Sequence, residues 1–217
     1  KSKYVYDEKF TGILPRMWSA QGHHAKEYKK WSGQKNTKRA PTFAENIKYL
    51  FSYQIGHMYM RYFMWNFAGR QNDIQGHGEI NKGNWLSGIP FIDNARLGPQ
   101  DNLPSTMANN KGRNIYYLLP LLLGLLGMFF HFNKNNKDAF VVLLLFLFTG
   151  LAIVAYLNQY PLQPRERDYA YVGSFYAFAI WIGIGLIAVF DFLGKYVPKN
   201  ISAFTATALC LLLVPTI

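Results

Sequence analysis

AFVVLLLFLFTGLAIVAYL, residues 139–157, contains no charged residue from end to end. A bilayer crossing needs about 20 such residues, so this stretch decides between a buried core helix and a membrane span. Three further apolar runs surround it. Ile115–Phe132 lies between Arg113-Asn114 and Asn133-Lys134, Tyr169–Phe190 follows a short charged loop, and Ile201–Ile217 ends the sequence. A soluble protein can bury one such helix, but four runs on tight loops predict a helical membrane bundle.

The mean hydropathy of −0.03 averages two unlike parts. Residues 1–113 hold 17 of the 23 Lys+Arg and 8 of the 12 Asp+Glu, with many Gly, Asn, Tyr and Trp. The formal charge of +11 is concentrated in residues 1–50, where 11 Lys+Arg face 4 acids. Such a balance suits nucleic acid, anionic lipid or a phosphate-bearing substrate. With spans next door, lipid phosphate is the simplest partner and nucleic acid is not expected. The single cysteine, Cys210, lies in an apolar run, so neither a disulfide framework nor a thiolate metal site is expected. The absence of an initiator Met and the apolar final residues suggest an internal piece of a longer membrane protein.

Alternation puts residues 1–113 and loop 158–168 on one side, and loops 133–138 and 191–200 on the other. The second side carries Lys134, Lys137, Lys195 and Lys199, so the positive-inside rule puts residues 1–113 on the outer side of the membrane. Within that long segment, Thr42-Phe-Ala-Glu45 has the form of a capping box and predicts a helix start. Glu45, Lys48 and Ser52 share one side at 3.6-residue spacing, whereas Gln54, His57 and Arg61 fall roughly opposite. The polar face thus switches near Gly56, which predicts two segments or a kink between about 43 and 68. Residues 69–114 read as ordered loop.

The sharpest cluster is QPRERDY, residues 163–169, between the second and third runs. At headgroup depth, Arg165 and Arg167 suit bidentate contact with a lipid phosphate or pyrophosphate. Glu166 and Asp168 would hold the arginines, or one of them would act as a base. The plainer alternative is a charge cluster anchoring the helix ends, and Asp168 is placed to cap the third span. YFMWNFAGRQND, residues 62–73, sets an aromatic run beside Arg70, Gln71, Asn72 and Asp73. Trp65 suits the membrane interface. The polar group beyond it suits a sugar subsite or a tightly hydrogen-bonded turn. The histidines lack the spacing of a metal set, so no metal or cofactor is expected.

PRMWS (15–19), YFMWNFAGRQNDIQGHGE (62–79), GNWLSGIPFIDNARLGPQDNLP (83–104) and QPRERDYAYVGSF (163–175) resemble a family of large polytopic inner-membrane proteins of bacteroidetes. That family, long catalogued as a domain of unknown function, is related to a eukaryotic transmembrane protein O-mannosyltransferase and so to the GT-C superfamily. The resemblance implies a helical membrane core with a periplasmic active site. A sugar would pass from a polyprenyl-phosphate donor to a Ser/Thr hydroxyl or another acceptor. It implies a catalytic acid in a first outer loop that none of these motifs contains, so the catalytic group is unassigned. By the same resemblance Arg165 and Arg167 would hold donor phosphate, while Trp65, Asn66, Arg70, Gln71 and Asp73 would shape the outer cavity. Two other readings accompany it: a lipid or solute transporter, and a non-catalytic subunit of an envelope or secretion assembly. The three complete runs carry no charged residue, which counts against the transporter.

Overall fold

The computed structural model describes residues 5, 8, 11–19, 21–35 and 39–213, and the chain is mostly helical. After α1 (His24–Ser32), a continuous helical rod begins with α2 (Phe43–Tyr49). The capping box closes as its sequence requires. Thr42 Oγ1 accepts from Glu45 N–H at 3.3 Å, and Glu45 Oε2 accepts from Thr42 N–H at 2.8 Å. The rod continues as a π-helix, Leu50–Met60, and returns to α geometry in α3 (Arg61–Phe67). A π turn holds about one residue more than an α turn, because its hydrogen bonds reach one residue farther. This underwinding brings His57 back to the side of Ser52. Ser52 Oγ meets Trp31 O, and the His57 ring lies 5.0 Å from the Trp31 ring. The switch to the opposite side expected near Gly56 is therefore not formed, and the helix runs on without a second segment.

Much of the rod is buried, although Lys48, Phe51, Met60 and Asn66 are exposed. Several of its polar groups meet loops. Ser52 Oγ donates to Trp31 O at 2.8 Å, and the Tyr49 and Tyr53 hydroxyls donate to Gln159 O and Tyr160 O. Gln54 Nε2 reaches Asn158 Oδ1 and Gln159 O. One side of the rod thus meets loops, while Tyr59 and Phe63 turn toward the apolar helices that follow.

Residues 69–115 form the ordered loop region, with β1 (Gly69–Arg70), α4 (Pro90–Leu97), α5 (Ser105–Ala108) and β2 (Asn114–Ile115). β1 and β2 pair antiparallel, Gly69 with Ile115 and Arg70 with Asn114. This pairing corrects the start of the first apolar run. Asn114-Ile115 is strand, Tyr117 and Leu118 turn with φ of 53° and 59°, and the helix α6 is Leu119–Lys134. At ~1.5 Å per residue its 16 residues span ~24 Å, short of the ~30 Å apolar layer of a bilayer.

Among the described residues, two helical stretches are long and apolar enough to cross a membrane. One is Asn136–Leu157, formed by α7 (Asn136–Thr149) and α8 (Leu151–Leu157) with a break at Gly150. The other is Asp168–Leu193, a 3-10 turn followed by α9 (Val172–Leu193). Asp168 opens that turn and makes no capping bond, so the N-cap expected of it is not formed; Tyr171 precedes α9 instead. The fourth run gives α10 (Lys199–Leu213), which packs on α9 through Ser202 Oγ and Phe190 O at 2.9 Å. Residues 214–217 of that run lie outside the described residues.

α6 and α9 cross at glycines. A Cβ on Gly127 would lie 1.8 Å from Trp181 O, and one on Gly185 would lie 2.3 Å from Leu123 O. In the third run, Ala177 is fully buried, whereas Ala179 and Gly183 face outward. Between the rod and these helices lies a core of rings, including Tyr59, Tyr62, Phe63, Phe67, Tyr171, Phe175, Phe178 and Trp181. The upper end of the α6–α9 pair bears β2 and loop 158–167. Lys134 and Asp191 mark the lower end.

Candidate functional site

The site is a joint between the rod and the charged loop. Arg61 sits at the π-to-α transition and is 4 % exposed. Its Nη2 meets Glu166 Oε2 at 2.8 Å and its Nη1 meets Oε1 at 3.3 Å, across 105 residues of sequence. Arg61 Nε donates to His57 O, and Nη1 also donates to Gly83 O at 2.9 Å. The guanidinium lies 4.5 Å from the Tyr62 ring centre and 4.8 Å from that of Trp65. Bidentate pairing plus aromatic faces is a set of partners that only arginine can use in full.

Glu166 is equally occupied. It accepts from the Tyr62 hydroxyl in a short hydrogen bond and from Gly76 N–H at 3.3 Å. Burial alone would push its carboxyl up; Arg61, Tyr62 and Gly76 outweigh that and hold it below the ordinary carboxylate value. Burial pushes the Tyr62 hydroxyl up, so it remains a donor at neutral pH. His57 donates from Nε2 to Gly76 O at 3.2 Å, and burial followed by the Arg61 charge lowers it to about 3. The imidazole is therefore neutral at physiological pH. Gly83 closes the joint: its φ is +54°, and a Cβ there would lie 3.0 Å from Arg61 Nη1.

The other residues singled out in the sequence divide into two groups. Gln71 and Asn72 are buried and hold the loop from within. Gln71 Nε2 donates to Ile80 O, its Oε1 accepts from Asn84, and Asn72 Oδ1 accepts from Gly83 N–H at 2.8 Å. Trp65 Nε1 donates to Gly83 O at 3.1 Å, and Arg70 Nε donates to Gly112 O at 2.8 Å with its guanidinium 5.3 Å from the Trp65 ring. These side chains face inward; of the residues expected to shape an outer cavity, Asn66 and Asp73 are exposed. Asp73 accepts from Asn110 at 3.0 Å.

In the charged loop, Arg165 is exposed and contacts Tyr169 through its hydroxyl at 3.0 Å and its ring at 5.5 Å. Arg167 is half-buried; its backbone N–H donates to the Tyr62 hydroxyl at 3.3 Å. Its Nε is shielded from solvent and has no hydrogen-bond partner among the described residues. Glu166 is thus turned inward and Arg165 outward. Arg61, Tyr62, His57 and Gly83 were not singled out as site residues from the sequence. The one available signal was an arginine beginning a run of aromatics.

A family model described as a family of unknown function (DUF8416) matches residues 1–51, a segment that ends where the rod enters its π-helix. No curated protein and no solved structure matches the chain.

Proposed function

We propose that the chain is part of a multi-pass inner-membrane glycosyltransferase of GT-C type. It would bind a polyprenyl-phosphate sugar at the periplasmic face and pass the sugar to a protein Ser/Thr or another envelope hydroxyl. The observation that supports this reading is the inward capture of Glu166 by Arg61 and Tyr62. It withdraws an acid from the RERD run and leaves Arg165 on the surface beside the start of an apolar helix. A lipid phosphate there would meet Arg165 directly. Rotation of Arg167 toward the same phosphate would give its unpartnered Nε an acceptor.

In the reaction, a base takes the proton of the acceptor hydroxyl, whose oxygen attacks the anomeric carbon. The bond from that carbon to the phosphate oxygen breaks, and lipid phosphate leaves with the electron pair. Arg165 and Arg167 would stabilise the anion as its charge develops. No residue of this chain is assigned as the base. Arg165→Ala is expected to weaken a polyprenyl-phosphate analogue about tenfold to hundredfold in the full protein, the loss of one or two charge-assisted hydrogen bonds. Unchanged affinity in both Arg165→Ala and Arg167→Ala would remove the donor site.

A second reading, a non-catalytic subunit of an envelope or secretion assembly, is favoured by the inward use of Trp65, Arg70, Gln71 and Asn72. Those groups brace a rigid loop rather than line an open sugar site. A partner that co-purifies with the Arg165→Ala protein, with no transferase activity in either form, would favour it.

A further inference from the structure

At the lower end of the α6–α9 pair, about 530 Å³ of groove runs between Leu126 and Phe130 of α6 and Ala188, Val189 and Phe192 of α9. Its walls are carbon, but Lys134, Asp191 and Lys195 form its rim. Lys134 Nζ is 3.3 Å from Asp191 Oδ2 and 5.3 Å from the Phe130 ring centre, so the ammonium leans over the mouth. The two side chains are 63 % and 43 % exposed, which leaves both able to meet an outside partner. Two ammonium groups against one carboxylate leave the rim net positive.

An apolar slot with surplus positive charge at one end is complementary to an amphiphilic anion. The slot takes a hydrocarbon chain, and the rim takes the phosphate. Exposed Lys137 and Lys199 outnumber exposed Asp138 at the same end, so the surplus stays positive. The loop-charge rule assigns that end to the cytoplasmic leaflet, whose anionic lipids attract basic residues near the surface. We infer that this groove binds an anionic phospholipid of that leaflet. One acyl chain lies along Phe130 and Val189, and Lys134 and Lys195 hold the phosphate. The inference rests on the membrane placement of α6 and α9; it is independent of sugar transfer at the upper end.

Native mass spectrometry of the full protein, released from bilayers of mixed phosphatidylglycerol and phosphatidylcholine, tests it. The wild type retains phosphatidylglycerol preferentially. Lys134→Gln/Lys195→Gln lowers that preference about 25-fold, at about fivefold per lysine. Val189→Trp fills the slot without touching the rim and lowers retention of both lipids. A preference unchanged by the double substitution overturns the site, as does retention unaffected by Val189→Trp. Should the tryptophan variant fail to fold, a photoreactive phenylalanine analogue at position 130 decides the same question. Crosslinking to phospholipid supports the site, and crosslinking into protein overturns it.

Discussion

The two ends of the α6–α9 pair handle charge in opposite ways. At the upper end, Arg61 is 4 % exposed and shares Glu166 with Tyr62 and a backbone N–H, under the rings of Tyr62 and Trp65. At the lower end, Lys134 and Asp191 meet at 3.3 Å with both side chains largely in solvent. Each is a cation–carboxylate pair, yet one is an internal joint and the other a surface contact. The difference is desolvation. A buried pair that loses a partner strands a charge, whereas water and counter-ions replace a lost surface partner. The upper pair can therefore set the shape of a loop, while the lower pair stays available to an external anion.

Arg61→Met tests this contrast at its strongest point. It leaves Glu166 without its main counter-charge and should cost about 3–5 kcal/mol in reversible unfolding in detergent. A loss below about 1 kcal/mol would make the upper pair equivalent to a surface contact. Next in size is the helix crossing between the two ends. Gly127→Ala forces a methyl into Trp181 O and should cost about 1–3 kcal/mol, whereas Gly183→Ala enters open space and should cost nothing. Equal effects at the two positions would contradict the glycine seam.

The upper end should also respond to acid. His57 is held at about 3 in the folded protein, against about 6.5 when exposed. The unfolded chain takes up this proton first. The stability contributed by neutral His57 is thus complete above about 6.5 and falls toward pH 3, by up to about 1.4 kcal/mol per pH unit. Buried His24, also lowered, acts in the same direction, so His57→Gln should reduce the slope between pH 6.5 and 4.5 without abolishing it. Glu166, whose folded value is depressed, adds to the loss only below its unfolded value of about 4.3. A slope unaltered by His57→Gln would place the acid response elsewhere. The smallest effect belongs to the lower end: Lys134→Gln should change unfolding stability by less than about 0.5 kcal/mol. A larger loss would mean that this pair, too, is structural.

Signals confined to a few residues could be read directly. The charge-free run 139–157 is continued helix apart from Gly150, and Thr42-Phe-Ala-Glu45 closes its box because both partners lie within one turn. The broken period near Gly56 was legible, but its cause was not. An α-helical net puts His57 opposite Ser52, whereas the π winding of residues 50–60 returns both to Trp31, and the sequence period does not say which hydrogen bonds form. The charged loop stood out by composition, whereas the use of each charge did not. RERD reads as four equivalent groups until Arg61 selects Glu166.

That selection shows where local chemistry stops being informative. Hydrophobic runs, caps and loop charge are written in neighbouring residues, because hydrophobic transfer and first-turn hydrogen bonding act within one helix or one turn. The start of α6 at Leu119, the Gly127–Gly185 crossing and the Arg61–Glu166 joint each join segments far apart in the chain. A strand pairing turns apolar Ile115 away from helix, and a close backbone approach makes two glycines out of several indispensable. Burial makes one carboxylate of the loop a structural partner and leaves a neighbouring arginine facing outward. Desolvation and close packing belong to the assembled surroundings of a residue, and those surroundings exist only once distant segments have met.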